Sequence, residues 1–260
     1  MRTVLGFLYG TLALSLAIAW ALIVGTTMIL PFVVLPRGHR ERYTIVGAAL
    51  WAWGVVRVVM LGRPRIDIDA PLPSDQGALI VCNHRSWLDP LVLMYATRAS
   101  GLSKLVILFI PFVGLYGWLA GSVFFARDSR GQRARARREV MRLAGLGSRI
   151  QLFPEGTRTR DGKLLDRVHL TLVQDCFDSG LPVVPCALWG TERALPPGRP
   201  VAYPFQEFRV SIGAPKWPRD YPDAASFAAA VWDDVRDRVE RIADQQPAGC
   251  PERESNPHAP

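Results

Sequence analysis

Apolar residues are spread unevenly along this chain. Residues 3–36 contain no charged side chain, and about 20 apolar residues are enough for a helix to cross the hydrocarbon of a bilayer. The pattern predicts a helix that bends or ends near Gly25-Thr26-Thr27 and Pro31, leaving an apolar remainder at the interface. A signal peptide would have a shorter apolar core and a small-residue exit, and neither is seen. A second apolar stretch, residues 43–61, is interrupted only by Arg57 and carries Trp51 and Trp53. It can span, lie in the interface, or pack as a buried helix; we favour a membrane-dipping helix pair.

Beyond residue 65 the pattern shifts to short apolar runs separated by turns. Residues 78–82, 123–126, 149–153, 183–188 and 208–212 read as strands, and residues 132–146 and 226–243 have helical spacing. Strands alternating with helices predict an α/β fold, a mixed, largely parallel sheet flanked by helices, with an N-terminal membrane-anchoring helical segment. The expected organisation is an anchor over residues 1–62, a catalytic-type domain over 63–245, and a disordered Pro-rich, polar tail over 246–260.

Charge changes this picture in two ways. The net charge is +8, which suits anionic lipid, phosphorylated small molecules or nucleic acid. Arg37, Arg40 and Arg42 follow the first apolar stretch while Arg2 alone precedes it. The positive-inside rule then places the remainder in the cytoplasm, at the inner (cytoplasmic) membrane. A further group, Arg130, Arg133, Arg135, Arg137, Arg138 and Arg142, is read as a solvated helix face, the other options being lipid headgroups or an acidic carrier protein. Without interleaved aromatics or a docking motif, it does not read as a nucleic-acid site. The four cysteines show no C-x-x-C pairing, so buried reduced thiols are expected.

Four clusters carry candidate chemistry. Asn83-His84-Arg85-Ser86-Trp87-Leu88-Asp89-Pro90 follows the strand at 78–82. A histidine at a strand's carboxyl end can accept a hydroxyl proton near neutral pH, and an aspartate five residues on can hold its other ring nitrogen. In Phe153-Pro154-Glu155-Gly156-Thr157-Arg158, Gly156 permits a tight turn and Arg158 offers a fork for phosphate; Glu155 is expected to pin an arginine or a substrate hydroxyl. Gly121-Ser122-Val123-Phe124-Phe125-Ala126-Arg127 delivers Arg127 to a strand end. In Leu181-Pro182-Val183-Val184-Pro185-Cys186-Ala187-Leu188, Pro185 cannot donate to a ladder, predicting an edge, a bulge or an open apolar wall.

NHRSWLD resembles the NH-x-S-x-x-D signature of the 1-acylglycerol-3-phosphate (lysophosphatidate) acyltransferase family. GSVFFAR, FPEGTR and LPVVPCALWGTE resemble its second, third and fourth blocks, in the family's order across residues 76–192. The resemblance implies transfer of a fatty acyl group from acyl-CoA or acyl carrier protein to the free hydroxyl of 1-acylglycerol-3-phosphate. His84 would be the general base and Asp89 its orienter. Arg127, Glu155, Gly156, Thr157 and Arg158 would bind the acceptor phosphate. Asn83 and Ser86 of the first block and Pro185 of the fourth would complete the substrate site. It implies no cofactor or metal beyond the thioester co-substrate, and membrane lipids but no nucleic acid as partners. One segment departs from the family: where a Phe-Lys-x-Gly type sequence is common, residues 165–170 read LDRVHL, which leaves the lysolipid head group open. His169 within it is read as an ordinary helix-surface residue. A different lysolipid acceptor, such as a lyso-aminolipid, and a non-catalytic lipid-binding membrane protein are the competing readings.

Overall fold

The computed structural model describes residues 2–36, 39–74, 76–126, 129–159 and 163–245. The tail expected to be disordered, 246–260, lies outside the described residues, as does Arg127.

The chain opens with helix α1 (Arg2–Val24), continued by a π-helical turn and a short 3-10 turn to Phe32. Residues Thr3–Phe32 are long and apolar enough to cross a membrane. Helix α2 (His39–Trp53) then returns along α1, and the Trp51 indole donates to the Ala17 carbonyl at 3.0 Å. This second stretch is packed rather than free: Ala48 and Ala52 are buried against Ile29, Met94, Tyr116 and Leu119. Its extension reaches further, with Val55, Val56, Val59 and Met60 joining the core beneath the sheet.

The remaining elements alternate. In chain order they are β1 (Arg63–Ile68), β2 (Ala78–Cys82), α3 (Asp89–Thr97), β3 (Ser100–Lys104), α4 (Val113–Leu119), β4 (Val123–Phe125), α5 (Arg130–Gly145), β5 (Arg149–Leu152), α6 (Thr171–Asp178), β6 (Val183–Trp189), α7 (Thr191–Ala194), β7 (Glu207–Ile212) and α8 (Ala224–Asp244). One seven-stranded sheet has the order β1-β7-β6-β2-β5-β3-β4. All neighbours are parallel except β6 and β7.

The period of two in β2 sorts its residues onto opposite faces. Ile80 and Cys82 meet α3 and the extension of α2. Leu79 and Val81 meet α5, α6 and α8 through Val140, Val173, Phe227 and Val231. Each such large side chain withdrawn from water contributes about 1.5–3 kcal/mol before entropy is charged against it. With both faces covered, β2 and β6 are buried throughout. Cys82, Cys176 and Cys186 are free, buried thiols, and burial pushes Cys176 and Cys186 up to about 12.

Strand β6 is not an edge. It lies between β2 and β7, and Pro185 is accommodated by a bulge. Cys186 pairs with Ile212 and Val183 with Lys216, so three steps on β6 face four on the returning chain. The Gly213 amide donates to the Pro185 carbonyl at 2.8 Å, so the irregular stretch falls beside the position where proline has no N–H to give.

Candidate active site

The site forms at the carboxyl ends of β2 and β5, where an α/β layer leaves room for ligands. Chain leaving β2 turns through 83–88 and re-enters a helix at Asp89. His84 Nδ1 lies 2.9 Å from Asp89 Oδ2. The same oxygen accepts from the backbone amides of Arg85, at 2.5 Å, and Ser86, at 2.7 Å. The other oxygen accepts from the Thr191 hydroxyl on α7. Asp89 is fully buried, and its four donors are what make a buried carboxylate tolerable. Since a carboxylate only accepts, the pairing assigns the proton to Nδ1 and leaves the Nε2 lone pair open. Nε2 has no hydrogen-bond partner among the described residues. The imidazole is also stacked on Phe153, with ring centroids 4.3 Å apart.

The turn after β5 is fastened to this imidazole through Glu155. Its carboxylate accepts from the His84 amide at 2.7 Å and the Leu165 amide at 3.3 Å. Glu155 therefore pins backbone amides, where an arginine or a substrate hydroxyl was expected. Burial raises its carboxyl above the ordinary range, with those two amides, His84 and Arg85 pulling the other way. Gly156 sits at φ 66°, the left-handed region, and its amide closes the turn onto the Phe153 carbonyl at 3.0 Å. Thr157 is exposed beside it.

Arg158 differs from its neighbours. Its guanidinium lies over the Trp87 ring, 4.0 Å from the centroid, and its buried Nη1 has no hydrogen-bond partner among the described residues. Burial pulls the group below its usual range while Asp89 opposes the shift, but a guanidinium stays charged at neutral pH. A cation held by stacking, with a donor left over, is suited to a planar or tetrahedral anion.

His84, Glu155, Gly156, Thr157 and Arg158 all line one cavity of about 850 Å³. Its wall also carries Lys104 from β3 and Arg130, Arg133 and Arg137 from α5. So the basic run on α5 is not a single solvated face. Three of its arginines turn to the cavity, spaced at i, i+3 and i+7. Of these, Arg137 is engaged by Asp175 through two hydrogen bonds of 2.8 and 2.5 Å. His169, expected on a helix surface, instead precedes α6 and lines the cavity, its amide bonded to the Pro154 carbonyl at 2.9 Å. Lys104 escaped the sequence because it belongs to no recognisable block, and His169 was read as a surface residue because its segment departs from the family pattern.

Three sequence candidates face away from the cavity. Asn83 is a bracket between strands: its Nδ2 donates to the Leu188 carbonyl at 3.0 Å and its Oδ1 accepts from the Leu188 amide at 2.8 Å. The Ser86 hydroxyl donates to the Leu195 carbonyl at 2.9 Å and accepts from the Leu88 amide at 3.1 Å. Pro185 is buried in β6 and outside the cavity lining. With Arg85 paired to Glu192 at 3.0 Å, these contacts bolt the fourth block onto the first. The position of Arg127 lies outside the described residues.

Comparison with known proteins agrees with this architecture. The chain resembles a 1-acyl-sn-glycerol-3-phosphate acyltransferase of Limnanthes douglasii, 28% identical over 72% of this chain and 64% of that protein. A chloroplastic enzyme of the same name from Arabidopsis thaliana, LPAT1, is 30% identical over 71% of this chain and 52% of that protein. A further one from Neisseria meningitidis is 32% identical over 52% of each. The chain thus spans roughly half to two thirds of the length of these relatives. The crystal structure of the 1-acyl-sn-glycerophosphate (LPA) acyltransferase, PlsC, from Thermotoga maritima superimposes with a TM-score of 0.75 at 22% identity, covering 95% of this chain and 98% of that one; at such identity the likeness is one of fold. The family model described as Acyltransferase matches residues 63–189, from β1 through β6, and over that span the chain is similar to the acyltransferase family, as it is to these relatives.

Proposed function

We propose that this protein transfers a fatty acyl group from a thioester, acyl-CoA or acyl carrier protein, to the free hydroxyl of 1-acylglycerol-3-phosphate, giving phosphatidic acid. The observation that carries the reading is the open Nε2 of an aspartate-held imidazole in the same cavity as an arginine with an unused donor. The acceptor's phosphate docks against Arg158, with Lys104, Arg130 and Arg133 supplying further positive charge along the wall. Arg127, at the end of the block that leads out of β4, adds to the same anion site in this reading. Thr157 and the Gly156 turn border it.

His84 Nε2 removes the acceptor hydroxyl's proton as the oxygen attacks the thioester carbonyl. Asp89 holds the tautomer and stabilises the imidazolium that results, the part an aspartate plays in a serine-protease triad, with the nucleophile supplied by the substrate. The tetrahedral intermediate then collapses: the new ester forms, the carbon–sulfur bond breaks, and the thiolate leaves with the proton held at Nε2. The step as drawn uses no resident cofactor or metal. Asn83, Ser86 and Glu155 act by fixing the His84 turn. Positioning of this kind contributes several kcal/mol in well-oriented reactions.

A two-tailed product belongs in a bilayer, and the apolar α1 with its continuation supports attachment there; the arginines after it favour a cytoplasmic catalytic side. The head group has a second candidate. His169 faces the cavity from the segment that departs from the family pattern, which favours a lysolipid other than lysophosphatidate. Mass spectrometry of the lipids formed from a panel of lysolipids and labelled acyl thioester separates the two. Phosphatidic acid as the dominant product supports the first reading. In the same assay His84→Ala is expected to lose about 10²–10⁴-fold in turnover. If wild type and His84→Ala were equally silent yet both bound lysolipid, the protein would be a lipid binder instead.

A further inference from the structure

Between Lys104 and Arg127 the chain has no charged residue, and no part of the proposed chemistry uses its first half. Residues Leu105–Phe109 form a 3-10 turn that leads into α4. Val106, Phe109, Phe112, Leu115 and Trp118, at every third position, are exposed, Phe109 to 75% and Val106 to 63%. The opposite side of the segment is anchored in protein. Tyr116, Leu119 and Ala120 pack with Ile29, Ala48 and Ala52 of the N-terminal helices, and the Thr44 hydroxyl donates to the Leu119 carbonyl at 3.0 Å. Where α1 ends, a Cβ at Gly25 would collide with the Tyr116 ring, so glycine lets α4 come close. The exposed ridge is therefore held rigidly against the end of the same helix whose outer surface is the long apolar one.

Its border is basic. A second depression is lined by Leu105, Leu108 and Trp118 together with Arg135, Arg138 and Arg142 from the outer face of α5. Glu41 and Glu139 also line it, and Glu139 takes up Arg142. Arg135 and Arg138 remain exposed and make no ion pair among the described residues. Large exposed apolar patches mark interaction sites. An apolar ridge rimmed by arginines matches one environment in particular, the boundary between acyl chains and anionic headgroups.

We infer that residues 105–119 are a second membrane-seating element: Val106, Phe109 and Trp118 enter the outer acyl region of an anionic phospholipid leaflet while Arg135 and Arg138 lie at its headgroups. Lys104 and Ile107 begin this ridge and also line the cavity that holds His84. Seated this way, the cavity mouth opens at the membrane surface, and a single-tailed acceptor can slide in without leaving the bilayer. The inference rests on the membrane attachment proposed above, through α1, and is independent of the acyl transfer.

The test uses the full chain carrying Cys250→Ser, so that the remaining native thiols are the buried ones. An environment-sensitive fluorophore is attached at Phe109→Cys, or, as a control, at Glu240→Cys on exposed α8 surface. Both proteins are reconstituted with vesicles of equimolar phosphatidylcholine and phosphatidylglycerol. The Phe109 probe is expected to shift to the blue and be quenched by lipids spin-labelled on the acyl chain, while the Glu240 probe stays open to aqueous iodide. Adding Arg135→Gln with Arg138→Gln, or omitting phosphatidylglycerol, is expected to weaken the lipid quenching, by up to about fivefold for each charge removed. If the chain floats with the vesicles but both probes are equally open to iodide, the inference is overturned and attachment through α1 stands. Failure to float overturns both. A blue shift produced by acidic acyl carrier protein, and not by vesicles, would mean that the ridge is a protein-docking face.

Discussion

Around Asp89 every oxygen is met by a donor from the same chain, whereas around Arg158 a buried donor is left without an acceptor. His84, which Asp89 holds, and Arg158 line the same cavity, yet the first is over-determined while the second, among the described residues, is held by an aromatic face. In the proposed reaction, the difference follows from what each end must do. A proton-accepting imidazole works only in one tautomer and one orientation, so its support is built in advance. A charge that grips a guest has to keep hydrogen-bonding capacity for that guest, so its partners within the protein are few. The fold expresses the contrast through connectivity. The Asp89 end draws on two strands and α7, far apart in sequence, whereas Arg158 stands on a single turn after β5.

Removing the charge at the rigid end gives the largest expected effect. Asp89→Asn can go on accepting from Arg85 and Ser86 but no longer opposes an imidazolium, so turnover is expected to fall about 10²–10⁴-fold in steady-state assays, with a much smaller change in melting temperature. A loss below tenfold would mean that His84 works without its carboxylate. Next is Thr191→Val, which keeps the shape and deletes one donor to Asp89. A lost hydrogen bond to a buried charge costs about 1.5–3 kcal/mol, so kcat should drop roughly tenfold or more with the acceptor KM unchanged. A KM effect without a kcat effect would place Thr191 on the binding side.

The smallest effect is a pH dependence at Glu155. Its folded carboxyl is raised by burial, so its contribution to stability is fully present below the ordinary glutamate value, about 4.3, and is lost as pH rises through the raised folded value. Glu155→Gln is neutral throughout. Thermal melts should therefore show wild type gaining on the variant as pH is lowered from neutral toward that ordinary value. Parallel curves would show that Glu155 carries no such linkage.

The rigid end was readable in the sequence as far as it is local. His84 and Asp89 are five residues apart across one turn, and the strand before them is a clean apolar run. Their supports, Thr191, Leu188 and Glu192, lie more than a hundred residues away and are brought in by the parallel pairing of β2 with β6, which no local pattern announces. Helices α5 and α8 and five of the strands showed the expected periodicities to within a few residues. Strand β3, reading SGLSK, carries no apolar alternation, and β1, RPRIDI, alternates Pro64, Ile66 and Ile68 with charged residues over only six positions on an exposed edge, so they and Lys104 went unread. Pro185 left an edge, a bulge and an open wall as alternatives, and the bulge could not be singled out because it depends on a partner strand that contributes its extra residue from elsewhere.

The central claim is that one guest is held at both ends of this cavity, its hydroxyl at His84 and its anion at Arg158. The direct measurement is kcat/KM for 1-acylglycerol-3-phosphate against phosphate-free 1-acylglycerol, in wild type and in Arg158→Ala. Loss of a charge-assisted contact worth about 1.5–3 kcal/mol predicts a preference for the phosphorylated acceptor that shrinks about 10–100-fold in the variant, with the slow reaction on 1-acylglycerol unchanged. An identical preference in both proteins would contradict the account, because the anion would then be recognised somewhere other than beside Trp87.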